Sequence, residues 1–135
     1  MSKLYRSREG DTAAVDTKTQ LTTLGSESAP GPLLVPAGAK LLKAIIAVAM
    51  SDLGIAADGN VFIRLEGPGL PEGPETIAIA GFGVAVATGG QGQSLAERFE
   101  LDIPVVPANE ILIFAENSGE DMTVINVGVT LEFLM

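Results

Sequence analysis

Two groups of carboxylates come closest to a chemical site in this chain: Asp52 with Asp58, and Glu116 with Glu120 and Asp121. Each could hold a hard cation. Calcium, however, takes about 6–8 oxygen ligands, and neither group has the spacing of a calcium loop, so both read as solvated turns. Paired carboxyls also hydrolyse glycosides. A sugar site of the stacking kind, catalytic or lectin-like, needs aromatic surface, and Tyr5 is the only tyrosine in a chain without tryptophan. Ser2, Ser7, Ser26, Ser28, Ser51, Ser94 and Ser118 are candidate nucleophiles, but no histidine exists to serve as their base. Lys40 and Lys43 are read most simply as the solvated side of their segment. "GGQGQ" and "GFG" lack the Gly-x-Gly-x-x-Gly spacing and open no helix, and no P-loop lysine follows a glycine run. Cysteine is absent too, which removes thiolate ligands and disulfides. The expectation is a protein that is not an enzyme, with no catalytic residue, no cofactor and no metal site.

The elements around these residues are more informative. At 135 residues the chain fits one domain, long enough to bury a core without a staple. Apolar residues make up 47% at a mean hydropathy of +0.37, yet only 4% are aromatic. The longest uncharged apolar run, about 77–87, falls short of the roughly 18–20 residues of a membrane helix. The early basic residues are followed by Gly10, Asp11 and Asp16, which is no signal-peptide pattern. Net charge is −9. Residues 1–8 hold Lys3, Arg6 and Arg8 and no acid, so the body beyond them carries the acidic excess and repels polyphosphates. Nucleic acid is therefore expected as a partner only through a weak contact of Lys3, Arg6 and Arg8.

Along the chain, residues 1–16 have no sustained period and are expected as a flexible or extended N-terminal arm, with residues 17–135 as the folded domain. "TKTQLTTL" (17–24) is strand-like, and "GSESAPGP" (25–32) is a loop. In "LLVPAGAK" (33–40) the Pro-Ala-Gly turn calls for positive φ at Gly38. Residues 40–52 are ambiguous. Leu41, Leu42, Ile45, Ile46 and Ala49 recur at helical spacing, but β-branched residues and strand-like neighbours favour a buried strand. "NVFIRLEG" (60–67) alternates. "TIAIA" (76–80) and "VAVAT" (84–88) read as two short strands around "GFG". "RFELDIPVV" (98–106) puts Phe99, Leu101, Ile103 and Val105 on one face and charges on the other, with Pro104 pointing to an edge or bulge. "ILIFAE" (111–116) and "MTVINVGVTLEFL" (122–134) close the chain, the latter with Ile125, Val127, Val129, Leu131 and Phe133 on one face. Eight or nine short strands with no βαβ alternation predict an all-β antiparallel sandwich, jelly-roll-like.

The ordered pieces "LLVPAGAK…IIAV", "VFIRLEGPGL", "FELDIPV" and "ILIFAENSGEDMTVINVGVTLEF" resemble small jelly-roll or immunoglobulin-like coat and decoration (cement) proteins of viruses and phages. The loose basic arm looks like that class as well. The arm is shorter and less basic, and the chain shorter, than in a major capsid jelly roll, which favours a small coat or cement subunit. The resemblance implies a self-assembling structural protein of the virion, with partners in its own copies and other capsid subunits. Segments 41–50, 76–80 and 84–88 are apolar on both parities, so a monomer would expose apolar sheet. Ile77, Ile79, Phe82, Val84 and Val86 are accordingly the candidate subunit interface. The alternative is a ligand-binding or adhesion module using loops 67–75 and 89–94.

Overall fold

The alternating segments of the sequence pair as antiparallel strands, and the period of two sends one side of each into a shared core. The computed structural model describes residues 2–11, 18–22, 31–51, 59–71, 77–84, 94–118 and 125–135. Among them are nine strands: β1 (Lys3–Asp11), β2 (Thr19–Gln20), β3 (Leu33–Leu34), β4 (Leu41–Ser51), β5 (Gly59–Glu66), β6 (Ile77–Val84), β7 (Ser94–Pro104), β8 (Glu110–Ser118) and β9 (Ile125–Leu134). One sheet has the order β1-β9-β4-β7 and the other β2-β8-β5-β6, with β3 also on β8. Every connection except β2–β3 and β5–β6 passes from one sheet to the other. This is the strand order of a jelly roll. Among the described residues no helix is long and apolar enough to cross a membrane.

The core lies between the sheets. One side supplies Leu42, Ile45, Ala47, Val127, Val129, Leu131 and Phe133; the other supplies Leu33, Ile63, Leu65, Ile111, Ile113 and Ala115. Leu21, Val35, Ala39 and Leu70 close it from the connecting segments. Phe99, Leu101 and Ile103 pack against this cluster but stay half-buried, because β7 is an edge strand and has a neighbour on one side only.

Residues 40–52 form strand rather than helix over Leu41–Ser51. A β-bulge between Leu42 and Ala44 explains their misleading spacing. Lys43 is the extra residue, so the core-facing positions run Leu42, Ile45, Ala47, and a period of two is stretched once to three. A second correction concerns the N-terminus. Lys3–Asp11 take the extended form but lie inside the sandwich: all of β1 is in register with β9, from Lys3 opposite Leu134 to Asp11 opposite Asn126. The strand was hard to see because Arg6 and Arg8 occupy the parity that elsewhere is apolar. The third correction is at "GFG", which is no break: β6 runs through it, with Gly81 opposite Phe62 and Gly83 opposite Asn60.

Two tight turns shape one end of the sandwich. Ala39 N–H donates to the Pro36 carbonyl at 3.1 Å, with Gly38 at φ +85° as its sequence requires. In the second, Asn109 N–H donates to the Val106 carbonyl at 3.4 Å, and Ala108 takes φ +64°. Val35 and its partners tie the turns together: its N–H reaches the Asn109 carbonyl at 2.9 Å, and its carbonyl accepts from Ala108 at 3.0 Å.

Candidate functional site

Among the described residues, the densest arrangement of charge sits on the outer face of the first sheet. In β9, Glu132 stands between Tyr5 of β1 and Ala44 of β4, with Glu100 of β7 beyond. Its side chain is 1% exposed although it lies off the core. Arg98 Nη1 is 2.7 Å from Oε2, and Lys3 Nζ is 3.2 Å from Oε1. Arg98 Nε also donates to Glu100. The Lys3 contact is an ion pair without hydrogen-bond alignment, which leaves Oε1 buried with no aligned donor. The Arg98 hydrogen bond, aided by Lys3, holds the Glu132 carboxyl below its ordinary range against the opposing effect of burial. Its hydrogen bonds to Glu132 and then Glu100 hold the Arg98 guanidinium above its own range. Beside them, Lys43 donates to Asp102 at 2.8 Å from the bulge in β4.

This cluster can do little chemistry. A general acid needs a carboxyl raised toward the working pH, and Glu132 is shifted the other way. Its position on β9 ties together β1 and β7, at opposite edges of the sheet, across β9 and β4. No sequence signal marks it. Glu132 falls on the mixed face of the last strand, and only the strand order reveals that Lys3 and Arg98 converge there.

The residues singled out from the sequence fall in three places. Lys3, Arg6 and Arg8 are all on β1. Lys3 is paired with Glu132. Arg8 donates from Nε to the Gly31 carbonyl at 3.2 Å and from Nη1 to the Ser7 carbonyl at 2.7 Å. Burial, then the nearby Arg6 charge, draws the Arg8 guanidinium below its ordinary range. Arg6 is exposed and donates from Nη1 to the Tyr5 carbonyl at 3.1 Å. Ile77, Ile79, Phe82 and Val84 lie on β6, with Ile77 opposite Leu65, Phe82 opposite Val61 and Val84 opposite Gly59. Ile79 is the extra residue where the register shifts between Ile63 and Arg64. Val86 lies outside the described residues.

Of loop 67–75, Gly67, Gly69 and Leu70 are buried on the fold, with Gly69 N–H donating to the Glu110 carbonyl at 2.8 Å, while Pro68 and Pro71 are exposed. Residues 72–75 and 89–93 lie outside the described residues, as do Asp52, Asp58, Glu120 and Asp121. Glu116 is placed, with Oε2 3.3 Å from Arg64 Nε. Among the described residues no three acidic side chains converge as a metal group would require.

A sandwich has lateral edges, and an unpaired edge is a template for another strand. The edge β1 carries Lys3, Arg6, Arg8, Glu9 and Asp11. The edge β7 carries Glu97, Arg98, Glu100, Asp102 and a terminal proline. The third edge is divided between the two-residue strands β2 and β3. The fourth, β6, reads "IAIAGFGV" without a charge and, among the described residues, pairs with β5 alone. Its bulge at Ile79 leaves a regular stretch from Ala80 to Val84.

No protein-family model matches this chain, and a sequence comparison with curated proteins finds no match. Solved structures superpose on it to differing degrees. A xylan-binding module CBM15 superposes with a TM-score of 0.51 at 14% identity, over 96% of this chain and 97% of that one. The CBM22-1 xylan-binding domain from Paenibacillus barcinonensis Xyn10C gives 0.44 at 12% identity, over 96% and 92%. A chain of the infectious bursal disease virus Gx strain gives 0.47 at 12% identity; the match takes in 98% of this chain and 32% of the viral one. The likeness of this chain to the first of these is one of fold, an antiparallel β-sandwich.

Proposed function

We propose that the protein is a structural subunit that assembles with its own copies, of the capsid or capsid-decoration class, and that β6 is the edge through which copies join. One observation carries this reading. Three edges are charged or cut short, and the remaining eight-residue edge is uncharged and open on one side among the described residues. Natural sheets guard long edges against unwanted pairing, so an unguarded one fits a strand that is meant to pair. Such an edge is engaged through its main chain, whichever way its side chains lie. The interface candidates Ile77, Ile79, Phe82 and Val84 belong to this strand. The engagement of Lys3 and Arg8 within the fold supports assembly over genome contact.

Sedimentation at micromolar concentration tests the reading. The protein is expected as a closed oligomer, and Gly81→Lys is expected to give a folded monomer, since an edge lysine opposes strand addition. A wild-type protein that sediments as a monomer in both low and high salt would sink the assembly reading. It would favour the binding-module alternative, with the loops around 67–75 and 89–94 as its surface.

A further inference from the structure

β1 is held in a way no other long described strand with placed side chains is. No β1 residue belongs to the buried core cluster or to the apolar side chains packed against it. Its hold is main-chain pairing to β9 plus a few polar contacts: Ser7 Oγ with Thr130 Oγ1 at 2.8 Å, Lys3 with Glu132, and Arg8 with the carbonyls of Gly31 and Pro32. β9 beneath it is the opposite case, with Val127, Val129, Leu131 and Phe133 all buried. Without β1, β9 would present a long apolar edge, and Glu132 would lose Lys3.

We propose that β1 is an exchangeable strand: in the assembled protein it leaves its own β9 and lies, in the same register, on β9 of a second copy. The proposal rests on the assembly reading only in requiring a second copy; it does not depend on β6. Three observations favour a copy of this chain as the occupant. The β9 edge is complementary to the sequence of β1 itself, with a hydroxyl opposite Thr130 and a lysine beside Glu132. A second copy reproduces every one of those contacts, so the closed and exchanged forms share the same pairing of β1 with β9. Such exchange is a low-cost route to assembly. Charge favours it as well. Copies with a net charge of −9 repel one another, and β1, in which Lys3, Arg6 and Arg8 outnumber Glu9 and Asp11, brings a small positive excess onto an acidic neighbour.

The chain has no cysteine, so paired thiols report which chain β1 lies on. Ser7→Cys and Thr130→Cys are made as separate single variants, mixed before assembly and oxidised. Directly opposed strand residues are close enough for a disulfide. Exchange predicts that most of the product is a 7–130 disulfide between two chains, seen by non-reducing electrophoresis and mass spectrometry. The double variant should likewise give interchain ladders in the oligomer. An oligomer whose double variant forms only intrachain disulfides overturns the exchange and leaves assembly standing. A monomer with only intrachain disulfides overturns both. If these variants misfold, Glu9→Cys and Gly128→Cys pose the same question at the opposed pair 9–128. A Cβ at Gly128 meets nothing within 4 Å.

Discussion

Glu132 is a charged group without contact to bulk water, kept ionised by Arg98 and Lys3. The consequence for stability has a definite sign. Its folded pKa is depressed, so its contribution is complete above the ordinary glutamate value of about 4.3 and is lost as pH falls through the lower folded value. Glu132→Gln should cost on the order of 1–2 kcal/mol at neutral pH, a modest figure because Lys3 and Arg98 are partly solvated. The same variant should flatten the acid limb of a urea-midpoint titration. An acid limb as steep as that of the wild type would assign the loss to other carboxylates.

At Gly67, with φ +119°, an added Cβ would lie 2.6 Å from the Glu110 carbonyl oxygen. Gly67→Ala should therefore destabilise by at least about 2 kcal/mol. Ala108 is the contrasting residue, bearing a side chain at φ +64°. Ala108→Gly should gain up to about 1 kcal/mol in chemical denaturation. A loss there would mean that the turn gains more from a stiff unfolded chain than it loses to strain.

The strands with clean alternation were readable from sequence: β5, β8 and the buried side of β9 are where the apolar parity places them. Legibility failed wherever tertiary position overrode local pattern. The bulge at Lys43 turned a strand period into something close to a helical one. Leu101 and its neighbours sit on the expected face, but an edge position covers them only in part. Leu101→Ala should therefore cost about half of the ~2–5 kcal/mol expected for buried Leu131→Ala. β1 was invisible because main-chain pairing leaves no mark on side-chain periodicity. Deleting residues 2–11 should lower stability by about 2 kcal/mol or more, from lost strand hydrogen bonds. A synthetic peptide of those residues should restore it. An unchanged midpoint for the deletion would return β1 to the status of a loose arm.

For the whole molecule, charge and apolar surface oppose each other. Net −9 disfavours association, while the uncharged β6 favours it. An assembly held by main-chain pairing and apolar contact should tighten as salt rises, because salt screens repulsion between copies. Sedimentation across a salt series measures this directly. Dissociation at high salt would place ion pairs, not β6, at the centre of the contact. The candidate site was only partly legible from sequence. The apolar character of β6 could be read, but its place at the end of a sheet is a property of topology and emerges only when all the strands are ordered.

The strand order also governs how the chain must find its shape. Only β5 and β6 are neighbours both in sequence and in a sheet along the main strand path; β1 and β4 both wait for β9. A chain emerging from the ribosome has made nearly every strand before the first sheet can close. Until β7 is made β4 carries a long apolar stretch with neither neighbour in place, and until β9 is made it has only one, a state prone to pairing with other chains. Such non-local topologies fold in milliseconds to seconds rather than microseconds. Stopped-flow refolding should show a slow main phase, with yield falling as protein concentration rises. Leu131→Ala should slow refolding if β9 belongs to the nucleus, and should only speed unfolding if it docks afterwards.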